Sequence, residues 1–298
     1  MDADVGTRAP PRSYAARVAE RTRPEAFFVV SAIFHYLGPA FAVLLFARVG
    51  VLGVAWLRIA TAAAIFALWR RPWRFARTLD RRARRVVVAW GFVLALMNTS
   101  FYVAIDRLPL GTVAAIEFLP VIGLAALGMR TRRNLAALGL AAAGVYAITG
   151  VHVQAEPVGL VLAFVNAALF AVYIVLGHRV AREGAAGGID ALAGAMLVAT
   201  VAVTPIAGTS AAPALVDPIA LAAGVGVGVS SSVIPYVSDQ LAMARLSRAA
   251  YSLMVALLPA TATVVGILVL GQVPSAEECA GVAPVVAGVA LHREPLPQ

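Results

Sequence analysis

The chain has 298 residues, of which 61% are hydrophobic and 13% charged, with a mean hydropathy of +0.87 and a net charge of +9. No soluble core of this length could hide so much apolar surface, so the membrane must act as solvent. The positive charge does not point to nucleic acid: all 24 basic residues are arginines, set in short blocks between apolar runs rather than on a basic, aromatic-interleaved surface.

Residues 1–25 are polar and rich in Arg and Pro, and read as a disordered cytoplasmic tail. Apolar runs follow at 26–46, 51–69, 86–105, 110–128, 135–151, 158–176, 191–208, 219–237, 249–270 and 276–291. Each is about the length a helix needs to cross ~30 Å of hydrocarbon. Ten spans are expected, with 293–298 as a short cytoplasmic tail. The first run is too long for a signal-peptide core and is followed by many more spans, so no cleavable signal is read.

The arginines test this count independently. With the N-terminus inside, the outer loops hold only Arg48 and Arg107, and Arg58 falls within a span. All other arginines lie in inner segments, eight of them between Arg70 and Arg85. That asymmetry is what the positive-inside rule predicts for an even number of spans with both termini cytoplasmic. Trp69, Trp73 and Trp90 flank the Arg-rich loop and read as interfacial anchors.

Residues 98–120 carry the main chemical signal: a polar helix end, an Arg107-Leu108-Pro109 turn, and an apolar run with Glu117 at its middle. A related turn returns at Ala244-Arg245-Leu246, ahead of an apolar run with Pro259. In a ten-span chain both turns are the third-to-fourth connection of a five-span unit, and they face opposite compartments. Two inverted repeats, 26–151 and 158–292, follow from that placement, a transporter architecture with its substrate site near the midplane.

An acid in hydrocarbon costs about 2.5–3.5 kcal/mol even on lenient scales, so Glu117 needs a reason to be there. A mid-span carboxylate can take a proton from one side and release it to the other; the plainer reading is an acid neutralised by a partner such as Arg58. Arg58, about 10 Å into the second span, either snorkels to the outer interface or serves as counter-charge for Glu117 or a substrate carboxylate. His35 and Tyr36 form a polar patch beside Pro39 in the first span. Asn98 and Tyr102 share a face of the third span, as Asn166 and Tyr173 do of the sixth; each pair reads as substrate contact or as interhelical hydrogen bonding. In the eighth span Ser230, Ser231 and Ser232 precede Pro235 and Tyr236 and either line a cavity or repair a broken helix. Asp239, near the inner end, reads as a cap or a partner of Arg245. Pro39, Pro120, Pro235 and Pro259 are expected helix breaks, since each lacks the N–H its helix requires. Gly224 and Gly228 form a small-xxx-small packing face.

The single cysteine, Cys279, excludes an intrachain disulfide, and no Cys/His group has metal-site spacing, so neither metal nor cofactor is expected. The four histidines are scattered and form no catalytic set, so the chain does not read as an enzyme.

The stretches Leu57-Arg58-Ile59, Arg71-Pro72-Trp73-Arg74, residues 101–105, 107–111, Glu117-Phe118 and Pro235-Tyr236 resemble the EamA family of drug/metabolite transporters, most nearly its threonine/homoserine exporter type. The resemblance covers nearly the whole chain after the tail. It implies ten transmembrane helices in an inverted repeat and proton-driven export of amino acids or related metabolites across a bacterial inner membrane. Leu258 and Gln272 stand where acids are common in that family, and the spacing from Phe118 to Pro120 is shorter than usual. The expected partners are a small-molecule substrate, protons and the lipid bilayer, with oligomeric state left open. A multidrug or sugar-metabolite carrier on the same scaffold ranks second, and a non-transporting scaffold or intramembrane enzyme third.

Overall fold

In hydrocarbon the backbone must satisfy its own hydrogen bonds, so each apolar run is expected to coil into a helix. The computed structural model of the chain describes residues 24–128, 131–152, 156–181, 185–243 and 258–291, and among these it is all-helical. The helices are α1 (Pro24–Val49), α2 (Val51–Arg70), the short α3 (Pro72–Thr78), α4 (Arg81–Ile105), α5 (Leu110–Gly128) and α6 (Arg132–His152). They continue with α7 (Pro157–Ala181), α8 (Ala185–Ala207), the single turn α9 (Ala212–Leu215), α10 (Pro218–Gly228), α11 (Ile234–Met243), α12 (Leu258–Leu270) and α13 (Ala276–Leu291). A π turn, Val229–Val233, joins α10 to α11 without a break. The tails, residues 249–257 of the ninth expected span, and Arg245 lie outside the described residues.

Local chemistry sets the helix ends. Asp80 caps α4, its carboxylate accepting the Ala83 N–H at 2.6 Å, so the helix starts five residues before the apolar run and carries the arginines in its first turns. Asp217 caps α10 through the N–H groups of Ile219 and Ala220. Ser275 and Glu278 satisfy each other's N–H groups at the start of α13, a reciprocal capping box. Arg71 links α2 to α3 in the left-handed region, at φ 50°.

Among the described residues six helical segments are long and apolar enough to cross a membrane: Val29–Val49, Val51–Arg70, Arg81–Ile105, Pro157–Gly177, Gly187–Ala207 and Pro218–Leu241. Leu110–Pro120 and Leu258–Leu270 are shorter apolar helices. Large apolar side chains face outward, with Leu68 81% and Val201 74% exposed, as suits a lipid-facing surface. Trp69 and Trp73 are half-exposed beside the arginines, but Trp90, expected as an interfacial anchor, is buried. The correction has a simple cause: α4 begins earlier than its apolar run, so Trp90 sits more than two turns inside the helix, on the face turned to α7 and α8.

Two apolar clusters fill the interior, one centred on α1, α5 and α12, the other on α2, α4 and α8. Leu57 belongs to the first and Ile59 to the second, so Arg58 falls at their boundary. α4 lies along α7 and α8, α2 along α8 and α10, and α6 along α13. α1 packs on α10, the π turn, α11 and α12, and α5 on α6, α7 and α12.

Candidate functional site

The π turn is where the site begins. Pro235 has no N–H to offer the carbonyl of Ser231 four residues back, and its ring crowds that carbonyl; a wider turn relieves the crowding. Arg58 Nη2 donates to the Ser231 carbonyl and its Nε to Ser232 Oγ, both at 2.8 Å. The guanidinium also lies over the Tyr102 ring, 5.2 Å from its centroid, and Tyr102 Oη is 3.4 Å from Ser231 Oγ. The two glycines read as a packing face permit this approach. A Cβ on Gly224 would overlap Leu57, and one on Gly228 would overlap Thr61 and crowd the Arg58 carbonyl. Gly38 of α1 meets Ser231 equally closely from the other side.

Arg58 is therefore buried, 4% exposed, so it does not snorkel; its hydrogen bonds go to Ser231 and Ser232, while it borders the same cavity as Glu117. Its donors are drawn inward by the carbonyl and hydroxyl of the π turn. Glu117 is equally buried and makes a different contact: its Oε1 accepts the Asn166 Nδ2–H at 3.0 Å. Among the described residues its Oε2 has no hydrogen-bond partner, nor has Asn166 Oδ1.

His35, Arg58, Asn98, Glu117, Asn166 and Tyr236 border one small, partly open cavity, with Met97, Phe101 and Phe170 completing the wall. The space is about 20 Å³, room for about one water. Asn98 donates back to the Leu94 carbonyl at 2.7 Å. Tyr102 and Ser231 stand behind Arg58 rather than on the wall. Tyr173 also stands behind it, stacked 5.9 Å from Phe170, 6.1 Å from Tyr236 and 5.7 Å from Trp90.

The expected helix breaks need correction at Pro39 and Pro120. α1 and α5 run through these prolines as continuous helices, each losing one backbone bond without ending. Pro259 stands second in the described part of α12.

Some contacts at the site were not read from the sequence. Ser31 Oγ donates to the Asp239 carboxylate and also lies 3.3 Å from the Pro235 carbonyl, so Asp239 has a partner on α1. Ser31, His35 and Gly38 share one face of α1 at helical spacing, which was the available signal. Gln272 Oε1 accepts the Leu110 N–H at 3.1 Å and so caps α5. The same end of the bundle is tied by Arg48–Asp217 at 2.6 Å and Arg107–Glu156 at 3.7 Å; the opposite end by Arg70–Asp190 at 2.7 Å.

Comparison with known proteins agrees with the residue-level resemblance. Residues 157–293 match the EamA-like transporter family. The chain is 29% identical over 266 residues to the threonine/homoserine exporter RhtA of Salmonella typhimurium (strain SL1344), covering 87% of this chain and 88% of that one. It is also 29% identical over 238 residues to the exporter of the same name from Escherichia coli (strain K12), covering 79% of each. A solved crystal structure shares the fold with a TM-score of 0.56 at 18% identity, over 90% of this chain and 97% of that one. Its apolar helices and its similarity to these exporters mark a multi-pass membrane protein whose residues 157–293 match the EamA-like transporter family.

Proposed function

We propose that the protein is a secondary transporter of the inner membrane that exports amino acids of the threonine/homoserine kind, or closely related small metabolites, in exchange for protons. One observation carries the reading. Two acceptors with no partner among the described residues, Glu117 Oε2 and Asn166 Oδ1, belong to side chains that border the same cavity as Arg58. Buried acceptors without donors are costly, about 1–3 kcal/mol each. An α-ammonium group brings three donors to the acceptor side, and the accompanying carboxylate suits the guanidinium across from it. A proton on Glu117 would compete with that ammonium, which couples the two fluxes.

A cavity of about 20 Å³ admits no amino acid, so loading requires the bundle to open. Alternating access by two inverted five-helix units, 26–151 and 158–292, would provide the opening. The packing supports this pairing. The contact of α4 with α7 has its counterpart in α10 and α11 with α1, that of α5 with α7 in α12 with α1, and that of α4 with α8 in α10 with α2. The arginine distribution supports both termini in the cytoplasm.

A multidrug carrier is the second reading, favoured by the aromatic side chains Phe170 and Tyr236 on the cavity wall. Everted vesicles distinguish the two. Uptake of labelled threonine or homoserine driven by an imposed pH gradient, unaffected by bulky organic cations, is the expected result; cation uptake without amino-acid uptake would replace the first reading with the second. Glu117→Gln is expected to reduce gradient-driven uptake to background, and full retention would reject the coupling role.

A further inference from the structure

α4 has two chemically distinct faces. Trp90, Leu94 and Asn98 turn into the protein, while Phe92 and Leu96 are 52% and 56% exposed on the opposite side. At the start of that outer face lies an open hollow of about 600 Å³, well away from the polar cavity. Arg81, Arg84 and Arg85 rim it, and Val88, Ala89 and Phe92 form its floor. At ~1.5 Å per residue the floor ends about 16 Å along the axis from Arg81. The charges therefore stand at headgroup level at the mouth of a transmembrane helix, and the apolar floor runs from them into the hydrocarbon.

Among the described residues the charges are not neutralised by acids. Among the described residues neither Arg81 nor Arg85 has an ion-pair partner, and Arg84 Nη2 is held in place by the neutral Ala76 carbonyl at 3.2 Å. The neighbouring acid, Asp80, is occupied in capping the helix. Orientation alone does not require so much charge, since the other inner loops between spans hold two or three arginines each while this one holds eight between Arg70 and Arg85. We propose that the hollow is a binding site for one anionic phospholipid, its phosphate held by Arg81, Arg84 and Arg85 and an acyl chain laid along Val88, Ala89 and Phe92. Guanidinium–phosphate pairing supplies the head recognition, and the apolar floor supplies what a soluble anion could not use. The lipid would brace the back of the helix whose front carries Asn98 to the cavity.

Native mass spectrometry of the full chain in detergent, with phosphatidylglycerol, phosphatidylcholine or inorganic phosphate added, tests this. One phosphatidylglycerol should be retained in preference to phosphatidylcholine and should resist displacement by phosphate. Arg81→Gln with Arg85→Gln should weaken retention about thirtyfold, at about fivefold per guanidinium near the surface. Arg74→Gln with Arg77→Gln, which removes the same charge outside the hollow, should stay within about threefold of the wild type. Ala89→Trp fills the floor without altering charge and should also release the lipid. Equal weakening by both arginine pairs would reduce the site to diffuse attraction and overturn the proposal. So would equal retention of phosphatidylcholine, displacement by phosphate, or an Ala89→Trp variant that keeps its lipid.

Discussion

The two sides of the polar cavity hold one buried charge each, and they treat it differently. On one side Arg58 is met by a carbonyl, a hydroxyl and an aromatic face, all supplied or backed by the π turn and α4. On the other, among the described residues Glu117 receives one donor, from Asn166, and its second oxygen has no partner. A satisfied cation serves to hold two helices together. An unsatisfied acid stays costly until something binds it, and that is the condition a transport site needs. On the proposed reading the two groups do separate work: Arg58 fastens α2 to the π turn and would receive a substrate carboxylate, while Glu117 would be the group whose state changes.

The sharpest way to break this comparison is to remove each charge in turn. Glu117→Gln should abolish gradient-driven uptake in everted vesicles while leaving thermal unfolding in detergent unchanged or raised, because an amide relieves a buried carboxylate. Arg58→Met should destabilise the fold by about 2–5 kcal/mol, since it strands the Ser231 carbonyl and the Ser232 hydroxyl. An Arg58→Met protein that melts like the wild type but does not transport would make Arg58 purely a substrate anchor and erase the asymmetry. Gly228→Val should cost about 1–3 kcal/mol by pushing α10 away from Thr61 and the Arg58 carbonyl, with transport falling alongside stability.

The smallest effect concerns the ion pair at the bundle end. The Asp217 carboxyl is held below its ordinary value of 3.8, first by the Ala220 N–H, then by the Ile219 N–H and the Arg48 guanidinium, against a partial opposing cost of desolvation. A lowered carboxylate stabilises the fold fully above its unfolded value and loses that contribution as pH falls through the folded one. Acid should therefore weaken the α1–α10 tie only below about pH 4. Asp217→Asn should remove that acid-dependent part of the melting profile and leave the profile above it flat. A profile for Asp217→Asn with the same acid limb as the wild type would show that the tie contributes nothing.

The candidate site was only partly legible in the sequence. Glu117 stood out because a carboxylate in an apolar run has no cheap explanation, and Asn98 and Asn166 because amides in such runs are scarce. Their shared cavity could not be read, since α4, α5 and α7 meet through packing that linear spacing does not encode. Pro235 announced a disturbed helix, but the same residue type at Pro39 and Pro120 left its helix continuous. The difference at Pro235 lies in the close neighbours Gly38 and Arg58, which accept the widened turn and donate to its carbonyl. Trp90 was misplaced because a cap at Asp80 moved the helix start, and with it the depth of every residue that followed.

By itself the sequence determined that the chain lives in a bilayer and which segments coil, and it supported an orientation through its arginines. Those properties follow from transfer free energies and charge position, which each residue carries wherever it goes. Only the tertiary structure decided that Arg58 donates to Ser231 and Ser232, and that Glu117 Oε2 finds no donor among the described residues. Which partner a buried group finds depends on which helices can approach closely enough, and that is a property of the packed assembly, set here by a few glycines at the contact between α1, α2 and the π turn.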